Sequence, residues 1–212
     1  MIKIGILGDI GSGKSFVAKQ FGFPVFNADN EVRKIYNKDK KCFTKLSKAI
    51  PEYILSFPIN KKEIAKSILS NPKNLKKIIE IVHPIVRLRM NKFINKNKKK
   101  KIIILDVPLL LENKIAKKNN ILIFVDAKKK EIIKNLKKRK NYNLKIIKIL
   151  KKFQLSLNYK KKKSDFVIKN NFKIQPVKKS VKLLKKKIYT NERSCFRYRN
   201  YWFISKRWPQ NC

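Results

Sequence analysis

Gly8, Gly11, Gly13, Lys14 and Ser15 stand together in "GDIGSGKS", a stretch that holds three of the chain's five glycines. Glycines let a backbone fold round an anion with several N–H groups pointing inward. Lysine adds a mobile positive charge, and the serine hydroxyl is a hard oxygen donor. The spacing satisfies G-x-x-x-x-G-K-[ST] from Gly8 to Ser15, directly after the apolar run "IKIGIL" and before the helical stretch "FVAKQF". This pattern predicts a cradle for a nucleoside triphosphate, formed by Gly8, Gly11, Ser12, Gly13, Lys14, Ser15 and Phe16. In that reading Lys14 reaches the β and γ phosphates and Ser15 ligates Mg²⁺. No N-K-x-D tetrad for reading guanine is present, and the chain is short for a motor ATPase, which favours an ATP-dependent small-molecule kinase.

Phosphoryl transfer also needs a carboxylate to orient or deprotonate the acceptor hydroxyl, and cations for the moving group. Asp29, closing "FPVFNAD", is the candidate base; the competing role is an N-cap for a helix starting at Asn30. Asp106 ends "IIILD" and could hold Mg²⁺, although Asp126 ends the next apolar run in the same way. Lysines are too numerous to discriminate, so the rarer arginines are more informative. Arg139 is the candidate lid cation, with a planar fork suited to phosphate oxygens. Arg87 and Arg89 follow His83 in "VHPIVRLR", and His83 is either a packing residue or part of an acceptor site.

These residues need a scaffold that brings strand ends together. Five short apolar runs, "KIGIL", "FPVFNAD", "IIILDVP", "ILIFVDA" and "DFVIKNN", alternate with helical stretches, which predicts an α/β fold with a doubly wound, five-stranded parallel sheet. One domain is expected over 1–192, with a core of 1–29, 102–135 and 164–188. A helical insertion over 30–101 is expected to bind the acceptor, and a basic helical region over 136–163 to act as a lid. In the insertion, Leu75, Ile78, Ile79, Val82, Ile85, Val86 and Met90 share one helical face, and Pro84 is expected to kink or punctuate that helix.

Of the 56 basic residues, 48 are lysine, against 13 acidic residues, giving a net charge of +43. The lysines run along the whole chain, Lys160 to Lys163 among them, beside abundant asparagine and isoleucine. That distribution reads as a solvated coat arising from A and T rich codons, with only nonspecific attraction for nucleic acid. No stretch is long and apolar enough to span a bilayer and no secretory pattern opens the chain, so the expectation is a soluble cytoplasmic protein with no membrane partner. Cys42, Cys195 and Cys212 have no metal or disulfide spacing and are expected to be free thiols. Residues 193–212, rich in arginine and aromatics, form an atypical tail to which no chemistry is assigned. No signal sets an oligomeric state.

Taken in order, "GDIGSGKS", "NAD" ending at Asp29, His83–Pro84, "PLLLEN" from Pro108 to Asn113, Gln154 and "DFVIKNN" from Asp165 resemble the dephospho-coenzyme A kinase family over residues 1–188. The resemblance implies transfer of the ATP γ-phosphoryl group to the ribose 3′-hydroxyl of dephospho-coenzyme A. It implies Asp29 as the acceptor-activating carboxylate and Arg139 as a lid cation. It also puts His83, Pro108, Leu109, Leu110 and Glu112 on the acceptor side. Three positions depart from the family pattern. Asn135 stands where a second lid arginine is usual, Phe16 where a threonine is common, and Asp9 replaces a glycine beside the phosphates. A carboxylate at Asp9 would repel nucleotide unless it points outward. The alternatives are another small-molecule P-loop kinase, or a nucleic-acid-binding protein whose phosphate loop is vestigial.

Overall fold

The computed structural model describes residues 1–113, 115–116, 120–139 and 142–195. Each of the five apolar runs forms a strand. β1 (Ile2–Gly8) leads into α1 (Lys14–Gln20), and β2 (Val25–Asn27) passes directly into α2 (Ala28–Lys38). Next come α3 (Lys40–Ala49), α4 (Lys61–Ser70), α5 (Lys73–Lys96) and β3 (Ile102–Asp106). β4 (Asn120–Asp126), α6 (Lys129–Lys137), α7 (Leu144–Lys152), α8 (Leu157–Lys162), β5 (Phe166–Lys169) and α9 (Ile174–Cys195) complete the elements of the described residues.

The strands form one all-parallel sheet in the order β2-β3-β1-β4-β5. Both faces are covered, and alternating side chains divide between two cores. Ile4 and Ile6 of β1, Ile102 and Ile104 of β3, and Ile123 and Val125 of β4 meet Val17 and Phe21 beside α9 residues Val177, Val181 and Leu184. On the opposite face Leu7, Ile103, Leu105 and Phe124 pack with Phe26, Met90 and Leu110. A third cluster belongs to the helices after β2, where Ile35, Leu46 and Ile68 surround Leu75, Ile78 and Val82 of α5. Ile149 and Leu150 of α7 pack against this third cluster.

α5 runs for 24 residues straight through Pro84, which neither ends nor divides it. The apolar face read from the sequence carries it, with Leu75, Ile78, Val82 and Met90 all buried. α2 begins at Ala28 rather than Asn30, because the Asn27 side chain accepts a hydrogen bond from the Asn30 N–H at 2.8 Å and caps the helix. Asp29 is therefore not the N-cap; it lies in the first turn. Cys42 is a buried free thiol whose pKa burial and Asp39 push up to about 11, which leaves it unreactive at neutral pH. Lys160, read as part of a solvated run, has a side chain only 1% exposed. The greater part of the tail, residues 196–212, lies outside the described residues.

Candidate active site

β1 sits between β3 and β4. The chain leaves β1 toward β2 and later crosses to the other side of the sheet, so the loop after β1 opens where the winding reverses, the place where such sheets hold ligands. Residues 9–13 make this loop. Gly11 and Gly13 have φ of 83° and 86°, the left-handed region. A Cβ at Gly11 would meet Leu136 at 2.7 Å, and one at Gly13 would collide with the Asn170 side-chain amide. Asn170, at the end of the "DFVIKNN" segment, donates to the Ser12 carbonyl at 2.8 Å and pins the loop from behind.

Lys14 Nζ donates to the carbonyls of Gly8 at 3.2 Å and Asp9 at 2.8 Å. Burial lowers its pKa, while the carboxylates of Asp106 and Asp29 favour the charged form. The parallel register places Asn27 opposite Asp106 at the ends of β2 and β3. Ser15 Oγ donates to Asp106 Oδ2 at 2.5 Å. The Asn27 amide donates to the same Asp106 oxygen and, at 3.2 Å, to Ser15 Oγ. Asp106 is 3% exposed, and burial raises its pKa against the opposing pull of Ser15 and Lys14. Asp126, the other strand-end carboxylate, instead pairs with Lys161 at 2.9 Å.

A cleft of about 550 Å³ opens beside this cluster. Gly11, Gly13, Lys14, Ser15 and Phe16 line it, together with Asp29, Asp106, His83, Pro108, Leu109 and Arg139. Gly8 and Ser12 belong to the loop without lining the cleft: the Gly8 carbonyl receives Lys14, and Ser12 is buried beneath. Two acceptor-side residues are placed elsewhere. Leu110 is fully buried in the sheet core, filling the space that Gly5 leaves without a side chain. Glu112 turns away from the cleft, pairing with Lys160 at 2.7 Å and accepting from the Leu155 N–H at 3.0 Å. Within 108–113, Pro108, Leu109 and Asn113 line the cleft while Leu110 and Leu111 pack into the core, so adjacency in sequence does not carry all the residues to one site.

His83 lines the cleft with Arg87, while Arg89 is occupied by Glu31 at 3.4 Å and Asp39 at 3.6 Å. Burial, reinforced by the positive charge of Arg87, lowers the His83 pKa and keeps the ring neutral. Asn113 Nδ2 lies 3.3 Å from His83 Nδ1. With the Asn113 amide in this orientation its nitrogen donates, which sets Nδ1 as the acceptor and puts the ring proton on Nε2. Asn27, Asn113 and Asn170 are the polar residues that sequence reasoning missed in these roles. Each stood inside a quoted motif, but an asparagine carries no charge to distinguish it from the many others.

Residues 2–176 match the family model described as dephospho-CoA kinase. The chain is 35% identical over 170 residues to the dephospho-CoA kinase of Wolbachia pipientis wMel, covering 78% of this chain and 87% of that one. It is 31% identical over 170 residues to the dephospho-CoA kinase of Bartonella quintana, with 78% and 87% covered. Among solved structures, the dephospho-CoA kinase of Campylobacter jejuni superposes with a TM-score of 0.61 at 21% identity, covering 90% of this chain and 98% of that one, which bears on the fold. TT1252 of Thermus thermophilus gives 0.69 at 25% identity, with 88% and 97% covered. A phosphate loop, its facing carboxylates and a family match spanning most of the sequence lead to one conclusion: this chain belongs to the dephospho-CoA kinase family.

Proposed function

We propose that this protein transfers the γ-phosphoryl group of ATP to the ribose 3′-hydroxyl of dephospho-CoA, giving CoA and ADP. The observation that carries the proposal is that one cleft is lined by the phosphate loop, Lys14, Asp29 and Asp106 and also by the α5 side chains Val82, His83, Val86 and Arg87. Loop N–H groups and Lys14 bind the β and γ phosphates, Lys14 exchanging its two carbonyl partners for phosphate oxygens. Asp29, exposed in the first turn of α2, accepts the proton of the 3′-hydroxyl as its oxygen bonds to the γ-phosphorus. The bond from that phosphorus to the β–γ bridging oxygen breaks, and ADP leaves. Arg139 neutralises the equatorial oxygens during transfer. On the acceptor side, the His83 Nε2–H is a hydrogen-bond donor, while Pro108 and Leu109 add apolar surface.

Ser15 and Asp106 fit Mg²⁺. Their oxygens are already held together by a hydrogen bond, and both are hard donors. Among the described residues no group of three or more His, Cys, Asp or Glu side chains could cage a metal. That sparseness suits an ion that keeps water and takes phosphate oxygens. When bound, Mg²⁺ neutralises charge on the phosphates.

Incubation with ATP, Mg²⁺ and dephospho-CoA is expected to yield ADP and CoA, with turnover lost in Lys14→Ala. Asp29→Asn is expected to bind ATP normally while turning over about two to four orders of magnitude more slowly. Phosphorylation of a nucleoside monophosphate or shikimate, with none of dephospho-CoA, would move the substrate assignment to another class of small-molecule kinase.

A further inference from the structure

Asp9 is the acidic residue of the phosphate loop, placed where nucleotide charge is to be held. Its carboxylate is fully engaged. Oδ1 accepts from the Ile10 N–H at 2.7 Å, and Oδ2 pairs with Lys151 Nζ at 2.8 Å. The Asp9 side chain is 12% exposed, that of Lys151 44%. The carbonyl of the same Asp9 holds Lys14 Nζ. Lys151 lies in the last turn of α7, 142 residues along the chain from its partner. Around it, Ile149 and Leu150 pack on the helical cluster after β2, while Leu150, Phe153 and Gln154 line the cleft. One ion pair thus ties the phosphate loop to the helix that forms the opposite wall.

We propose that Asp9 and Lys151 are a positioning pair for the nucleotide, resting on the reading of this loop as an ATP site. The pair fixes α7 against the phosphate loop before ATP arrives, so that Leu150, Phe153 and Gln154 already stand at the cleft. It also takes the Asp9 charge out of opposition to the phosphates. A partly exposed ion pair has a modest worth, so the effect is a tuning of affinity. Lys151 acts through Asp9, and this distinguishes it from a cation that touches phosphate directly.

The test is ATP affinity by calorimetry, with the KM for ATP beside it, in Lys151→Met, Asp9→Asn, the double variant and Lys151→Arg. Lys151→Met is expected to weaken ATP binding about three- to tenfold, because it leaves Asp9 unpaired beside the phosphates. In the Asp9→Asn background the same change is expected to be silent, and Lys151→Arg to keep the wild-type value. Equal loss from Lys151→Met in both backgrounds would overturn the proposal. A second readout needs no substrate: hydrogen exchange over residues 144–152 without nucleotide is expected to quicken equally in Asp9→Asn and Lys151→Met, with the sheet unchanged. Unaltered exchange there would also overturn it. Neither readout involves dephospho-CoA, so a wrong acceptor assignment leaves this test intact.

Discussion

His83 is the chain's single histidine, so its titration can be isolated. Burial and Arg87 lower its pKa in the folded state, whereas the unfolded chain titrates near the ordinary value of about 6.5. The folded state then binds fewer protons than the unfolded state as pH falls below that value. Stability from the neutral ring is fully present above about pH 6.5 and is lost as pH falls toward the lower, folded pKa. Thermal melts at pH 8 and pH 5.5 are expected to show a larger drop in Tm for the wild type than for His83→Gln. Equal drops would mean that the ring is not held neutral. Asp106 has the opposite sign: burial raises its pKa, so keeping it charged costs stability at neutral pH.

At the scale of elements, the segment that carries α7 and α8 is fastened at two points besides the exposed pair of Lys161 with Asp126. The first is the pair between Lys151 and Asp9. The second is internal to the protein: Lys160 of α8 donates to Gln154 at 3.2 Å and pairs with Glu112 at 2.7 Å, while Glu112 Oε1 also receives the Leu155 N–H. Removing one partner of a buried pair strands the other charge, at about 3–5 kcal/mol, whereas replacing both is far milder. Urea denaturation of Lys160→Met is expected to show a loss of that size, and the double change Lys160→Met with Glu112→Gln to recover most of it. A single variant as stable as the wild type would mean that the pair holds nothing. Gln154 both lines the cleft and bonds Lys160, so the same variants test whether this anchor shapes the site.

For the whole molecule, the dominant quantity is the net charge of +43. Mutual repulsion among lysines opposes the compact state, and salt screens it over roughly 8–10 Å at physiological ionic strength. Raising sodium chloride from roughly 0.02 to 0.3 M is expected to raise the Tm by about 2–6 °C, read by scanning calorimetry. A Tm that falls or stays fixed would mean that the coat is already neutralised. Random duplex DNA is expected to bind weakly and release as salt rises; tight binding at roughly 0.15 M would favour a nucleic-acid role for the lysines. Among the described residues no helix is long and apolar enough to cross a membrane.

The phosphate loop was legible because its chemistry is local: glycines at fixed offsets, then lysine and serine, between a strand and a helix. The strands were legible because a parallel sheet buried on both faces demands continuous apolar runs, and these interrupt a lysine-rich chain sharply. Strand order, the register that sets Asn27 against Asp106, and the choice of Asp106 over Asp126 beside Ser15 came only from the fold, because they depend on which strands lie side by side. The same holds for Leu110 and Glu112, neighbours of the cleft-lining Pro108 and Leu109 that turn elsewhere. It holds for Lys160 too, one lysine in a run of four, selected for burial by a carboxylate 48 residues earlier in the chain. A sequence specifies which groups can attract one another; the tertiary structure decides which of many identical charges loses its water and meets a partner.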